Sequence, residues 1–120
     1  MKILVVEDDI WINKLIAKIL EVENYQIYKS FNGKEALKIL AEKPDIKLII
    51  TDIIMPEKEG IETIMEIRKK YSDKKIIAMS GGGKVKPKGY LSLAKKIGAD
   101  EVIQKPFDGD DLIKLIKKLI

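Results

Sequence analysis

The chain has 120 residues, 46% of them hydrophobic, which suits one domain around one core. It contains neither cysteine nor histidine, which excludes disulfide staples, thiolate chemistry, a phosphohistidine carrier, a histidine-based triad and zinc bound through either residue. The 23 basic and 19 acidic residues are interspersed along the chain, so the net charge of +4 reads as solvated surface rather than a nucleic-acid footprint.

The first apolar run, Ile3 to Val6, is too short for a signal-peptide core or a membrane span and is closed by Glu7, Asp8 and Asp9. A soluble cytoplasmic protein with no membrane partner is expected. A helical pattern follows, with Ile12, Leu15, Ile16, Ile19 and Leu20 on one face. The second strand is expected over Gln26 to Ser30, and the second helix enters after Asn32-Gly33 with Ala36, Leu37, Leu40 and Ala41 inward. The third strand covers Leu48 to Thr51, and the third helix uses Ile61, Ile64 and Met65 after Gly60. A fourth strand over Ile76 to Met79 leads into the glycine-rich stretch Gly81 to Gly89. The fourth helix then uses Tyr90, Leu91, Leu93, Ala94 and Ile97, with Gly98 as its stop. A last strand at Val102 and Ile103 precedes a helix that starts near Asp108, whose carboxylate is expected to cap it. That helix buries Leu112, Leu115, Ile116 and Leu119 and runs to Ile120, so no attached output domain is expected. Five strand–helix units in succession predict an α/β fold, a doubly wound parallel sheet with helices on both faces and one domain over residues 1–120.

In an open parallel sheet, ligands bind beyond the carboxyl ends of the strands. Those positions hold Glu7, Asp8 and Asp9 after the first strand, Asp52 after the third, Ser80 after the fourth and Lys105 after the fifth. Crowded carboxylates repel one another, and a hard dication with oxygen ligands relieves the repulsion. Mg²⁺ suits such a site, which offers one or two carboxylates, a backbone carbonyl and water. Asp52 is the natural nucleophile toward a phosphoryl group; Ser80 can donate to a phosphoryl oxygen and Lys105 can neutralise another. Taken singly, Glu7 to Asp9 could only cap a helix and Asp52 could be a turn residue. Their order along successive strand ends is what makes a site of them.

These residues resemble the receiver domain of two-component response regulators. The resemblance rests on Leu4-Val5-Val6-Glu7-Asp8-Asp9, on Asp52-Ile53-Ile54-Met55-Pro56 with Gly60, on Met79-Ser80-Gly81 and on Lys105-Pro106-Phe107. It covers the whole chain and points to a stand-alone, single-domain receiver of the chemotaxis or sporulation type. It implies a flavodoxin-like sheet of order 2-1-3-4-5 and a phosphoacceptor at Asp52. Mg²⁺ would be held by Asp8 and Asp52, by Glu7 through water and by the Ile54 backbone carbonyl. Asp9 becomes the helix cap, Ser80 the switch hydroxyl, Lys105 the phosphate-side cation, and the Lys105-Pro106 bond cis.

The partners implied are a histidine kinase or phosphotransfer protein and a downstream protein. The latter would be met by the fourth helix, fifth strand and fifth helix, roughly Tyr90 to Ile120, and phosphorylation-dependent dimerisation stays open. No direct nucleic-acid contact is expected, and the chain is not an enzyme beyond its own phosphorylation and dephosphorylation. Two positions depart from the family pattern. Val102 stands where Tyr or Phe is common, and the Gly81 to Gly89 connection is long and glycine-rich. The apolar Ile54 cannot orient an attacking water, so slow self-dephosphorylation is expected. Rival readings are weaker. A phosphohydrolase would want a second acid where Ile54 stands, and a flavin carrier would not place three acids against a phosphate. A degenerate receiver that binds partners without being phosphorylated is the remaining alternative.

Overall fold

A computed structural model describes residues 1–53, 59–80, 92, 93 and 95–120. Five strands, β1 (Lys2–Val6), β2 (Gln26–Ser30), β3 (Leu48–Asp52), β4 (Lys75–Ser80) and β5 (Glu101–Gln104), form one sheet. All neighbours pair in parallel, in the order β2-β1-β3-β4-β5. The helices α1 (Ile10–Val22), α2 (Gly33–Glu42), α3 (Glu59–Lys70) and a C-terminal helix (Gly109–Leu119) cover it. Ser92, Leu93 and Lys95 to Ile97 are helical where the fourth helix is expected.

The central strands are apolar on both sides, and their alternation divides the core in two. Leu4, Val6, Ile49, Ile76 and Ala78 face a cluster completed by Ala36 and Leu40 of α2 and Ile64 and Ile67 of α3. Ile3, Val5, Leu48, Ile50, Ile77 and Met79 face the opposite cluster, with Ile16 and Leu20 of α1 and Leu112 and Ile116 of the C-terminal helix. Period-two side chains buried on both faces are what a covered parallel sheet demands.

The helical faces differ in places from the expected ones. Leu15 is 59% exposed and Met65 52% exposed, and Leu93 and Ala41 also face outward. In each described helix the sheet contacts one narrow stripe. In α1 Asn13, Ile16, Ala17 and Leu20 fill it, in α2 Gly33, Ala36 and Leu40, and in α3 Ile64 and Ile67. Leu15 and Met65 each stand one position off that register and fall outside the stripe. Asp108 occupies the cap position of the C-terminal helix, but its side chain makes no capping bond. Its backbone carbonyl alone accepts, from Leu112 N at 3.2 Å. Gly98 does end a helix, at φ +132°, where an added Cβ would lie 2.8 Å from Arg68 Cβ.

At the amino ends of the strands, polar groups are closely paired. Arg68 donates to the carbonyls of Gly98, Ser72 and Lys74, and to Asp100 Oδ2 at 2.6 Å. Asp100 Oδ2 also accepts from Ile76 N. The Lys74 ammonium donates to the carbonyls of Pro44 and Ile46 at 2.7 and 2.6 Å. No described helix is long and apolar enough to cross a membrane.

Candidate functional site

The register sets the site. Val6 stands level with Thr51, Asp52 with Met79, and Ser80 with Gln104. Glu7, Asp52, Ser80 and Lys105 therefore emerge at nearly one height along the carboxyl edge. Glu7 and Ser80 are each 1% exposed and Asp52 is 5% exposed, while Asp8 faces solvent. Side-chain oxygens of Glu7, Asp8 and Asp52 lie within 4.8 Å of one another. Asp9 is the cap of α1, accepting from Trp11 N at 2.9 Å and Ile12 N at 3.1 Å. That bond set is the cap expected from the sequence, and it leaves Glu7 and Asp8 for other work.

The Lys105 ammonium pairs with two of these acids. Lys105 Nζ is paired with Glu7 Oε1 and lies 3.2 Å from Asp52 Oδ2. Its backbone is tied in as well, since Lys105 N donates to Ser80 O at 2.7 Å, and the Lys105-Pro106 bond is cis. Burial pushes the Glu7 carboxyl up to about 7, with the Asp52 charge adding to the effect, although Lys105 and the Asp9 amide pull the other way. Burial alone would lower the Lys105 ammonium, but Glu7 and Asp52 outweigh it and the pKa is raised.

Gly60 presses the start of α3 onto the chain just past Asp52. A Cβ there would lie 2.3 Å from Ile53 O and 2.4 Å from Asp52 O, so only glycine allows the approach. Beside the site, Ile12, Leu15, Ile16 and Ile19 of α1 and Lys105, Pro106 and Phe107 line an open apolar groove of about 280 Å³. Val102 is half-buried against the core on the α2 and α3 side. The Ile54 carbonyl, the Gly81 to Gly89 connection and Tyr90 lie outside the described residues.

Asn13 went unnoticed in the sequence. It is fully buried, and its Nδ2 donates to Glu7 O at 3.0 Å and Ser30 O at 2.9 Å. The signal was present, since Asn13 is a polar residue in the buried register of Ile16, Ala17 and Leu20. The Arg68, Lys74 and Asp100 network was missed as well, and nothing in residue spacing points to it.

Three mutually close carboxylates, two of them buried and paired with Lys105, form a donor set that fits a small hard cation. The model of the response regulator receiver domain matches residues 3–117. The chain belongs to this family. Among the receiver's relatives, a transcriptional regulatory protein CpxR homolog from Haemophilus influenzae is 36% identical over 119 residues, covering 99% of this chain and 50% of that protein. A putative NtrX-like response regulator from Rickettsia bellii is 36% identical over 97% of this chain and 24% of its own length. The receiver thus spans half or less of the length of these curated relatives. Among solved structures, the response regulator TrrA from Thermotoga maritima, in complex with Mg²⁺ and BeF, superposes with a TM-score of 0.85. It is 38% identical, covering 99% of this chain and 98% of that one. The expected order 2-1-3-4-5 is the order found, and the receiver is a module of two-component response regulators.

Proposed function

We propose that the receiver takes a phosphoryl group from a histidine kinase or phosphotransfer protein onto Asp52. The observation that carries this is the meeting of the Glu7, Asp8 and Asp52 carboxylates within 4.8 Å, with Lys105 spanning Glu7 and Asp52. In the transfer, the P–N bond of a donor phosphohistidine breaks and a P–O bond to an Asp52 carboxylate oxygen forms. Mg²⁺ would be held by Asp8 and Asp52, by Glu7 through water and by the Ile54 backbone carbonyl, and it would supply the positive charge that lets a phosphoryl group approach a carboxylate. TrrA, a relative of the same length, has been captured with Mg²⁺ and BeF, which supports the same reading here.

Lys105 neutralises phosphoryl charge from its place 3.2 Å from Asp52, and the buried Ser80 hydroxyl at the end of β4 is the donor that follows the new charge. The altered strand ends would be read by a downstream protein across the surface from Tyr90 to Ile120. We read residues 1–120 as one receiver domain acting in the cytoplasm.

The test is the intact mass after treatment with acetyl phosphate and Mg²⁺, with Asp52→Asn and a chelator as controls. A gain of one phosphoryl group that both controls abolish supports the reading. No adduct, together with no response to beryllofluoride and Mg²⁺, defeats it in favour of a receiver that binds partners unphosphorylated.

A further inference from the structure

The side-chain amide of Asn13 has a definite orientation. Both of its Nδ2 contacts are carbonyl oxygens, of Glu7 at 3.0 Å and of Ser30 at 2.9 Å. Turning the amide over would set Oδ1 against two acceptors, so Nδ2 must point there. Oδ1 is then left buried, and among the described residues it is the buried side-chain atom with no hydrogen-bond partner. A buried acceptor without a partner carries an uncompensated desolvation cost. An apolar residue in this register of α1 would avoid that cost, so the structure tolerates it for the sake of the two donated bonds.

What those bonds hold is specific. The Glu7 carbonyl belongs to the peptide that joins Glu7 to Asp8. Glu7 N donates to the same Ser30 carbonyl at 3.1 Å, and the Ser30 hydroxyl donates back to Val5 O at 3.3 Å. The backbone between the last residue of β1 and the start of α1 is therefore stitched to the end of β2 on both sides of Glu7. We infer that Asn13 is a positioning residue of the metal centre. It fixes the Glu7-Asp8 peptide so that the two carboxylates present themselves to Asp52 as a ready-made set. The inference rests on the reading of that set as a Mg²⁺ site.

The experiment is a Mg²⁺ titration of the unphosphorylated chain, followed by calorimetry and by the fluorescence of the lone Trp11, whose amide is held by Asp9. Asn13→Leu supplies neither bond and Asn13→Ser can supply one. Ile16→Val loosens the same helix face without touching the stitch, and Asp8→Asn removes a ligand. Circular dichroism selects variants that are folded without metal. The Mg²⁺ Kd is expected to rise about tenfold or more in Asn13→Leu and by less in Asn13→Ser, while Ile16→Val stays near wild type. Asn13 variants that bind as tightly as wild type, or an Ile16→Val loss equal to theirs, overturn the positioning role alone. A wild-type chain that does not saturate with Mg²⁺, or Asp8→Asn binding as well as wild type, overturns the metal reading and this inference with it.

Discussion

The two edges of the sheet treat buried charge in opposite ways. At the amino edge, Arg68 and Lys74 together reach the carbonyls of Pro44, Ile46, Ser72, Lys74 and Gly98, and Asp100 pairs with Arg68. At the carboxyl edge, Glu7, Asp8 and Asp52 crowd together, and Lys105 pairs with Glu7 and Asp52. The first arrangement is closed, and its groups have what they need from the chain itself. The second gathers three carboxylates within 4.8 Å of one another, a set that a cation can join. The contrast separates residues that hold the fold from residues that keep a function available.

The largest effect that would sharpen this contrast lies at Asp52. Asp52→Asn is expected to abolish phosphoryl uptake by intact mass while leaving the metal-free melting midpoint at or above that of wild type, because it thins a repulsive cluster. A clear fall in that midpoint would mean the carboxyl edge is as closed as the other.

Next comes pH. Glu7 titrates near 7 in the folded chain against an ordinary value of 4.5, so between those values the folded state holds a proton that the unfolded state has lost. Metal-free stability should therefore fall as pH rises from about 4.5 to about 7, by on the order of 3 kcal/mol. Denaturant titrations at several pH values check this, and Glu7→Gln should flatten the decline.

At the amino edge, Arg68→Ala should cost about 2–3 kcal/mol by leaving several carbonyls without donors, with no change in Mg²⁺ affinity. A shift in that affinity would break the separation of the two edges. The smallest effects concern the helix caps on the carboxyl side. Asp9→Ala should cost about 1 kcal/mol, whereas Asp108→Ala should cost under about 0.5 kcal/mol because its carboxylate makes no capping bond. Thermal melts of the two variants side by side decide it.

Much of this was legible from the chain alone, for identifiable reasons. Strands buried on both faces write themselves as short β-branched runs, and Ile3 to Val6 and Leu48 to Thr51 could hardly be read otherwise. The acids, the hydroxyl and the lysine were legible because each stands one step beyond such a run, and topology brings strand ends together. The helical faces were read less well. Leu15 and Met65 belong to plausible apolar stripes, and only the packed sheet shows which neighbouring register it covers. Asn13 and Arg68 were missed for a different reason. Each acts on backbone carbonyls, some of them from distant segments, and a carbonyl has no letter in a sequence.

Gly60 has a mechanical consequence. A side chain between two pieces of backbone acts as a cushion, since its torsions can absorb a small displacement of either piece. Between α3 and the peptide after Asp52 there is no cushion, because the gap is too tight even for a methyl group. Close-packed backbone transmits displacement rather than absorbing it. Any movement of the strand end at Asp52 must then lift the head of a twelve-residue rod, and the far end of α3 becomes a lever arm worked from the site.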